Sequence, residues 1–308
     1  MVIQGLTRKG NLQKMAVLMA LIGVLIMAVC AQKGAKRGKP DAVFSKYWYD
    51  GKAEISSYTL FQNRYGELHE GKAVLIFVTE DFSAQKQVKL DLPEKSGADR
   101  VPVLKMNYSK SFLTGIYPYS ILNSVFTPVS LTGTIKSTCS IQEWCGHTFT
   151  QVNRNSKGFS SHEYSYFEEE ADKSLNLPDM LLEDEIWNMI RINPESVPKG
   201  KVKLIRGNVA VRLMHLPLEV VESEIKVTDT VLNNEKMKSL SVGYPERRLN
   251  IYYSPLFPYQ IYGWDETYGE FGKPPATTSA RRIKTVRLPY WKLHNREHLS
   301  YRDSLGLE

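Results

Sequence analysis

A chain of 308 residues can bury a sizeable core, as one large domain or two smaller ones. Its 42% hydrophobic and 24% charged content excludes a disordered polymer. The formal net charge is +7, but three of the basic residues fall in the first 14 positions, and the smaller excess left beyond them argues against nucleic acid as a partner.

The N-terminus divides into three parts. Residues 1–14 carry Arg8, Lys9 and Lys14 and no acid, and residues 15–29, "MAVLMALIGVLIMAV", are uninterruptedly apolar. A basic stretch followed by an apolar run too short for a comfortable membrane span predicts a secretory signal over 1–30. Two processing sites are open: lipidation at Cys30, as in a lipoprotein, or cleavage after Ala31. The lipoprotein reading is favoured because the cysteine ends the apolar run. A basic linker over 31–42 holds Lys33, Lys36, Arg37 and Lys39, which would rest on anionic headgroups beside a lipid anchor. The expected location is the cell envelope, on a membrane facing the periplasm.

Residues 43–308 read as a single β-rich domain. Seventeen tyrosines, many spaced two apart as in Tyr117/Tyr119 and Tyr164/Tyr166, suit pleated strands. Strands are predicted over 52–62 and 72–79, the second ("AVLIFV") covered on both faces. Others follow at 86–91, 101–108, 112–127, 133–144 and 147–153. "LPDMLLEDEIWNMIRINP", 177–194, reads as the one long helix, with Pro178 and Asp179 in its first turn and an apolar stripe from Leu181 to Ile190. Strands resume at 201–206, 208–216, 219–228 and 239–244. "GYPERRLNIYY" is a hairpin turning at Pro245–Arg248, strands at 257–264 and 279–288 follow, and 293–305 is a short terminal helix. The expected fold is mainly β: a curved antiparallel sheet, or half-barrel, wrapped on that helix, with a two-sheet β-sandwich as the alternative.

The candidate chemistry lies in "SIQEWCGHTFTQ", 140–151. If this is one strand, Glu143, Cys145 and His147 share a face, with neighbouring side chains roughly 7 Å apart. A cysteine nucleophile needs its base near 3 Å, which would take a kink at Gly146. Zinc would need Cys145 and His147 together with residues from elsewhere, such as His162 or Glu163. The structural reading makes Cys145 a small buried hydrophobe and is preferred, so no catalytic residue, metal or cofactor is assigned. On a continuous strand Cys139 and Cys145 lie roughly 20 Å apart, beyond the ~7 Å reach of a disulfide. The acidic runs "FEEEADK" and "EDE" (183–185) read as a solvated loop and a polar helix face. Asp265 and Glu266, adjacent on a strand, face opposite sides and cannot flank a glycosidic bond. In the tail, the basic stretch Arg281–Arg287 reads as a strand with charge outward, in preference to a surface for membrane or phosphate-bearing polymers.

Several blocks in order resemble an uncharacterised family of exported bacterial proteins: "KYWYDGKAEISSYTL", "RYGELHEGKAVLIFVTEDFS", "TGIYPYSILNSVF", "QEWCGH", "LLEDEIW", "FPYQIYGWDETY" and "RRIKTVRLPYW". Some members carry the name septum formation inhibitor Maf. Maf nucleotide pyrophosphatases are cytosolic α/β proteins with an early Ser-x-Ser-Pro-Arg-Arg motif, which this chain lacks, so the name implies no activity here. The resemblance implies a lipoprotein-type signal, and the sheet-on-helix reading is similar to the lipoprotein-carrier half-barrels. The expected function is a non-catalytic envelope lipoprotein that binds an apolar, lipid-like ligand or an envelope partner protein. The rival is a hydrolase or thiol enzyme using Cys145, His147 and Glu143.

Overall fold

The computed structural model describes residues 42–307 apart from 171, 233 and 271. The signal, Cys30 and nearly all of the linker lie outside the described residues. After a short helix α1 (Ala42–Trp48), eight strands run as a meander: β1 (Ala53–Arg64), β2 (Glu67–Ser83), β3 (Arg100–Thr114), β4 (Tyr117–Pro128), β5 (Lys136–Glu143), β6 (Gly146–Asn155), β7 (Gly158–Ser165) and β8 (Lys173–Pro178). Then come β9 (Leu181–Leu182), α2 (Glu185–Ile192), β10 (Gly200–Ile205) and α3 (Asn208–Met214). A second meander follows: β11 (Val220–Leu232), β12 (Glu235–Tyr244), β13 (Arg247–Tyr253), β14 (Ile261–Tyr268) and β15 (Ala276–Leu288), before a terminal turn α4 (Ser300–Asp303).

All fifteen strands form one sheet, ordered β8 through β1, then β15 back to β9. Neighbours are antiparallel except β9 and β10. The curved antiparallel sheet is therefore as expected, and the sandwich is not. The two edges of the sheet, β8 and β9, are consecutive in sequence. Pro178 and Leu181 are three residues apart, which holds them within about 11 Å. The sheet is thus rolled until its edges meet at a seam. Val152, Phe159 and Leu177 from one edge pack there against Leu182, Ile205 and Leu218 from the other.

Alternation explains which face is inner. In β4, Tyr119, Ile121, Asn123 and Val125 are buried while Ser120 and Leu122 are exposed. β2 is covered on both faces, as "AVLIFV" predicts. Ala73, Leu75 and Phe77 join the main core, and Val74, Ile76 and Val78 pack under Leu305 of the C-terminal tail. Outward positions such as Glu222, Glu224, Lys226 and Arg248 are exposed, so these strands do not present the apolar band of a membrane barrel. No helix among the described residues is long and apolar enough to cross a membrane.

The long helix over 177–194 is corrected. Leu177 and Pro178 end β8, and Leu181–Leu182 pair with Leu204–Ile205 of β10, so only 185–192 is helical. Those eight residues fill the lumen, and every one from Glu185 to Arg191 is buried. Trp187 lies 5.5 Å from Tyr108 and 5.4 Å from Trp264 between ring centroids. Asn188 donates to Leu104 O and Val125 O at 3.1 and 3.2 Å. Arg191 forms a bidentate pair with Glu54 at 2.6 and 2.8 Å. Burial works to raise the Glu54 carboxyl, but Arg191 and bonds from Tyr47 and Gln260 hold it below its ordinary range.

Four further differences have local causes. Residues 208–216, expected as a strand, form α3, whose first N–H is capped by the Asp184 carboxylate at 3.1 Å and whose end is set by His215 at φ 53°. Residues 86–91 give only an isolated bridge from Lys89 to Phe82. The expected strand 112–127 is split by a turn at Gly115, where φ is +58°. The terminal helix shrinks to Ser300–Asp303.

Candidate binding site at the sheet seam

The segment 140–151 is not one strand. Gln142 pairs with His147 and Glu143 with Gly146, so Trp144 and Cys145 form the tip of a hairpin. Gly146 lets the Tyr166 ring pack against the hairpin, since a Cβ there would lie 2.5 Å from it. Cys145 is exposed, not buried as expected. Glu143 accepts from the Cys145 backbone N–H at 2.7 Å, and the same carboxylate pushes the thiol pKa up, away from the thiolate a nucleophile needs. His147 is also exposed. The proposed zinc partners part company: His162 bonds Ser174 and is exposed on one side of β7, while Glu163 turns inward. Cys139 is a free thiol buried on β5.

The "EDE" run is corrected most sharply. Glu183, Asp184 and Glu185 are 2%, 8% and 5% exposed, and the first two sit in the lumen. Arg247 bridges Glu183 and Glu266, the second at 2.6 Å. Lys110 reaches Glu266 at 3.5 Å and donates to Gln62 at 2.9 Å. Asp184 accepts from the Asn208 N–H, and burial pushes its carboxyl up to about 6. Gly207 makes room for both acids, since a Cβ there would lie 2.9 Å from each. The space left among Tyr108, Glu183, Trp187 and Trp264 is about 20 Å³, enough for a water and no more. These charges tie the seam to β13 and β14, and they leave no access for a substrate.

Open space lies at the seam itself, in a pocket of about 560 Å³. Its wall is the inner face of β6 to β8, with Thr148, Thr150, Glu163 and Leu175. Its cover is the end of α3 and the segment after it, with Val211, Arg212, His215 and Leu218. Phe167 and Glu168–Glu170 form the lip. Glu170 organises the mouth: it bonds His215 Nδ1 at 2.6 Å and accepts from Ser165 Oγ at 3.1 Å and Arg212 Nη1 at 3.4 Å. Burial would raise the Glu170 carboxyl, but the His215 bond and the Arg212 charge take it below its usual range. The Arg212 guanidinium lies 4.1 Å from the Phe167 ring centroid, and burial lowers its pKa. Glu163 is half-buried, and burial raises its carboxyl. The pocket combines an apolar floor with a charged rim, which suits an elongated guest with both kinds of surface.

A second hollow, of about 620 Å³, is lined mostly by polar residues such as Glu224, Lys226, Ser241, Arg248 and Thr267. It lacks the covering segment that encloses the seam pocket. The seam residues were missed in the sequence because their partners are distant: Glu170 and His215 are 45 positions apart, and no local spacing announces the pair.

No protein-family model matches the chain, and no curated protein matches it. Among solved structures, the chain is similar to a β-barrel-like protein of a domain of unknown function, DUF1849, from Brucella abortus. The identity is 9%, the TM-score 0.46, and the alignment covers 76% of this chain and 97% of that one.

Proposed function

We propose that the protein is a non-catalytic binding protein of the cell envelope, tethered to a membrane through a lipid on Cys30, with the seam pocket as its ligand seat. The observation that carries this reading is a covered pocket of about 560 Å³ whose floor is Leu175, Val211 and Leu218 and whose rim is charged. In the lumen, α2, the tyrosine and tryptophan rings and the ion pairs leave about 20 Å³ among Tyr108, Glu183, Trp187 and Trp264. An apolar portion of the guest rests on the floor, and its polar end meets the rim. The exposed Cys145, with its thiol pKa raised by Glu143, gives no support to a thiol mechanism.

The test is native mass spectrometry of the protein purified from the envelope fraction in mild detergent without chelator. A retained ligand mass that is lost in Val211→Arg, with thermal stability within a few degrees of the parent, is the expected result. Retention of the same mass in Val211→Arg overturns the assignment to this pocket.

A further inference from the structure

We infer that the guest of the seam pocket is an extended polypeptide segment carrying a basic side chain, added as a strand to the open edge of β8. This rests on the pocket being the binding seat and specifies what enters it.

Three features converge. First, β8 ends the sheet order, and among the described residues its backbone bonds only to β7. Half of the amide and carbonyl groups of Lys173–Leu177 therefore face outward beside the pocket, the template that strand addition uses. Second, the floor beside that edge is apolar, lined by Leu175, Val211 and Leu218, so an inward side chain of an added strand finds a surface to rest on. Third, the lining holds four carboxylates, Glu163, Glu168, Glu169 and Glu170, against the fixed cations Lys173 and Arg212. Glu168 and Glu169 are exposed at the lip. Glu170 is engaged with Arg212 and His215, and Glu163 sits opposite Lys173, which leaves the exposed Glu168 and Glu169 to meet an incoming cation, with the Phe167 ring beside them. An alternating chain fits this layout: one face lays an apolar side chain on Leu175 and Leu218, and a lysine or arginine reaches the lip.

The test uses the full chain in neutral detergent and a fluorescein-labelled, end-blocked hexapeptide, Thr-Val-Lys-Val-Lys-Thr, followed by anisotropy. Its counterpart with both lysines replaced by glutamate is the charge control, and dodecylammonium is the cationic probe without a peptide backbone. The expected result is saturable binding of the lysine peptide, at least tenfold weaker binding of the glutamate peptide, and slowed amide exchange over residues 173–177. Glu168→Gln combined with Glu169→Gln, two exposed changes that leave the fold intact, should weaken the lysine peptide several-fold. Equal binding of both peptides, or binding without protection of β8, overturns the inference. Dodecylammonium binding with no peptide binding also overturns it, and leaves the pocket standing as a seat for amphiphiles. Failure of all three probes, together with an apo mass in native spectrometry, removes the pocket reading itself.

Discussion

Arg247→Met is the most informative perturbation of the lumen. Arg247 is 7% exposed and is the shared partner of Glu183 and Glu266, which are 2% and 3% exposed. Methionine keeps most of the buried volume, so the loss is electrostatic. Glu266 retains Lys110 at 3.5 Å, but among the described residues Glu183 is left facing Asp184 without an ion-pair partner, and its Oε2 already lacks a hydrogen bond. Removing one side of a buried pair costs about 3–5 kcal/mol, because the remaining charge stays desolvated. For a domain of this size that corresponds to roughly 6–10 °C in Tm, at ~2 °C per kcal/mol. The assay is thermal unfolding at pH 7 followed by circular dichroism, with Glu183→Gln added to the same chain. The double variant removes both charges, and it should recover more than half of the loss. A shift under 2 °C for Arg247→Met, or a double variant no more stable than the single one, refutes the claim that Arg247 holds the seam to β13 and β14.

Three other outcomes follow from the same geometry. The Asp184 carboxyl is raised by burial to about 6 from an ordinary 3.8, so its contribution favours folding below pH 4 and is lost as the pH rises through 6; Asp184→Asn should therefore gain on the order of 2 kcal/mol relative to the parent between pH 4 and 7, read as a flatter urea midpoint against pH. Trp187→Ala removes a ring 4% exposed that touches Tyr108 and Trp264, and should cost about 3–5 kcal/mol in urea unfolding; a loss under 1 kcal/mol would mean that α2 is not packed in the lumen. Iodoacetamide should label Cys145 in the native protein and spare Cys139, which is 4% exposed with its thiol pushed up by burial, and comparable labelling of the two would contradict the placement of β5.

Period-two alternation made the two meanders legible, because Tyr119, Ile121 and Val125 or Leu249, Ile251 and Tyr253 each face one side of a strand whose other side is polar. It failed where a segment is buried all round. In "LPDMLLEDEIW" the leucines fit a helical stripe as well as two strand ends, and what decides is Leu181–Leu182 meeting Leu204–Ile205, a pairing that local sequence does not encode. "NVAVRLM" looked like a strand because valine is stiff, yet Val209, Ala210 and Leu213 lie on one helical face and Asp184 caps its start. The acids at 183–185 read as a polar helix face because a charge is usually exposed; the cation of Glu183, Arg247, comes from 64 positions away, so only the fold could reveal that pair. Trp144–Cys145 was hidden for another reason: neither residue is a turn former, and the hairpin is set by the pairing of Gln142 with His147 and Glu143 with Gly146.

A guest entering the lumen would have to displace the Trp187–Trp264–Tyr108 cluster or separate Arg247 from its two carboxylates, and each step costs several kcal/mol. At the seam no such cost arises, because the edges meet through side chains and, among the described residues, β8 carries no backbone partner beyond β7. An interaction that completes an edge exchanges bonds to water for ladder bonds and breaks none within the protein. The same asymmetry explains why the buried charges crowd behind the seam: Glu183 and Asp184 pin the short strand β9 and the start of α3, so the pocket between α3 and β8 keeps its shape although no ladder closes the sheet there. A rigid wall opposite an unpaired edge is what strand addition requires, and it is also why substitutions at Arg247, well behind the pocket, should weaken guest binding together with stability, whereas changes at Glu168 and Glu169 should weaken binding alone.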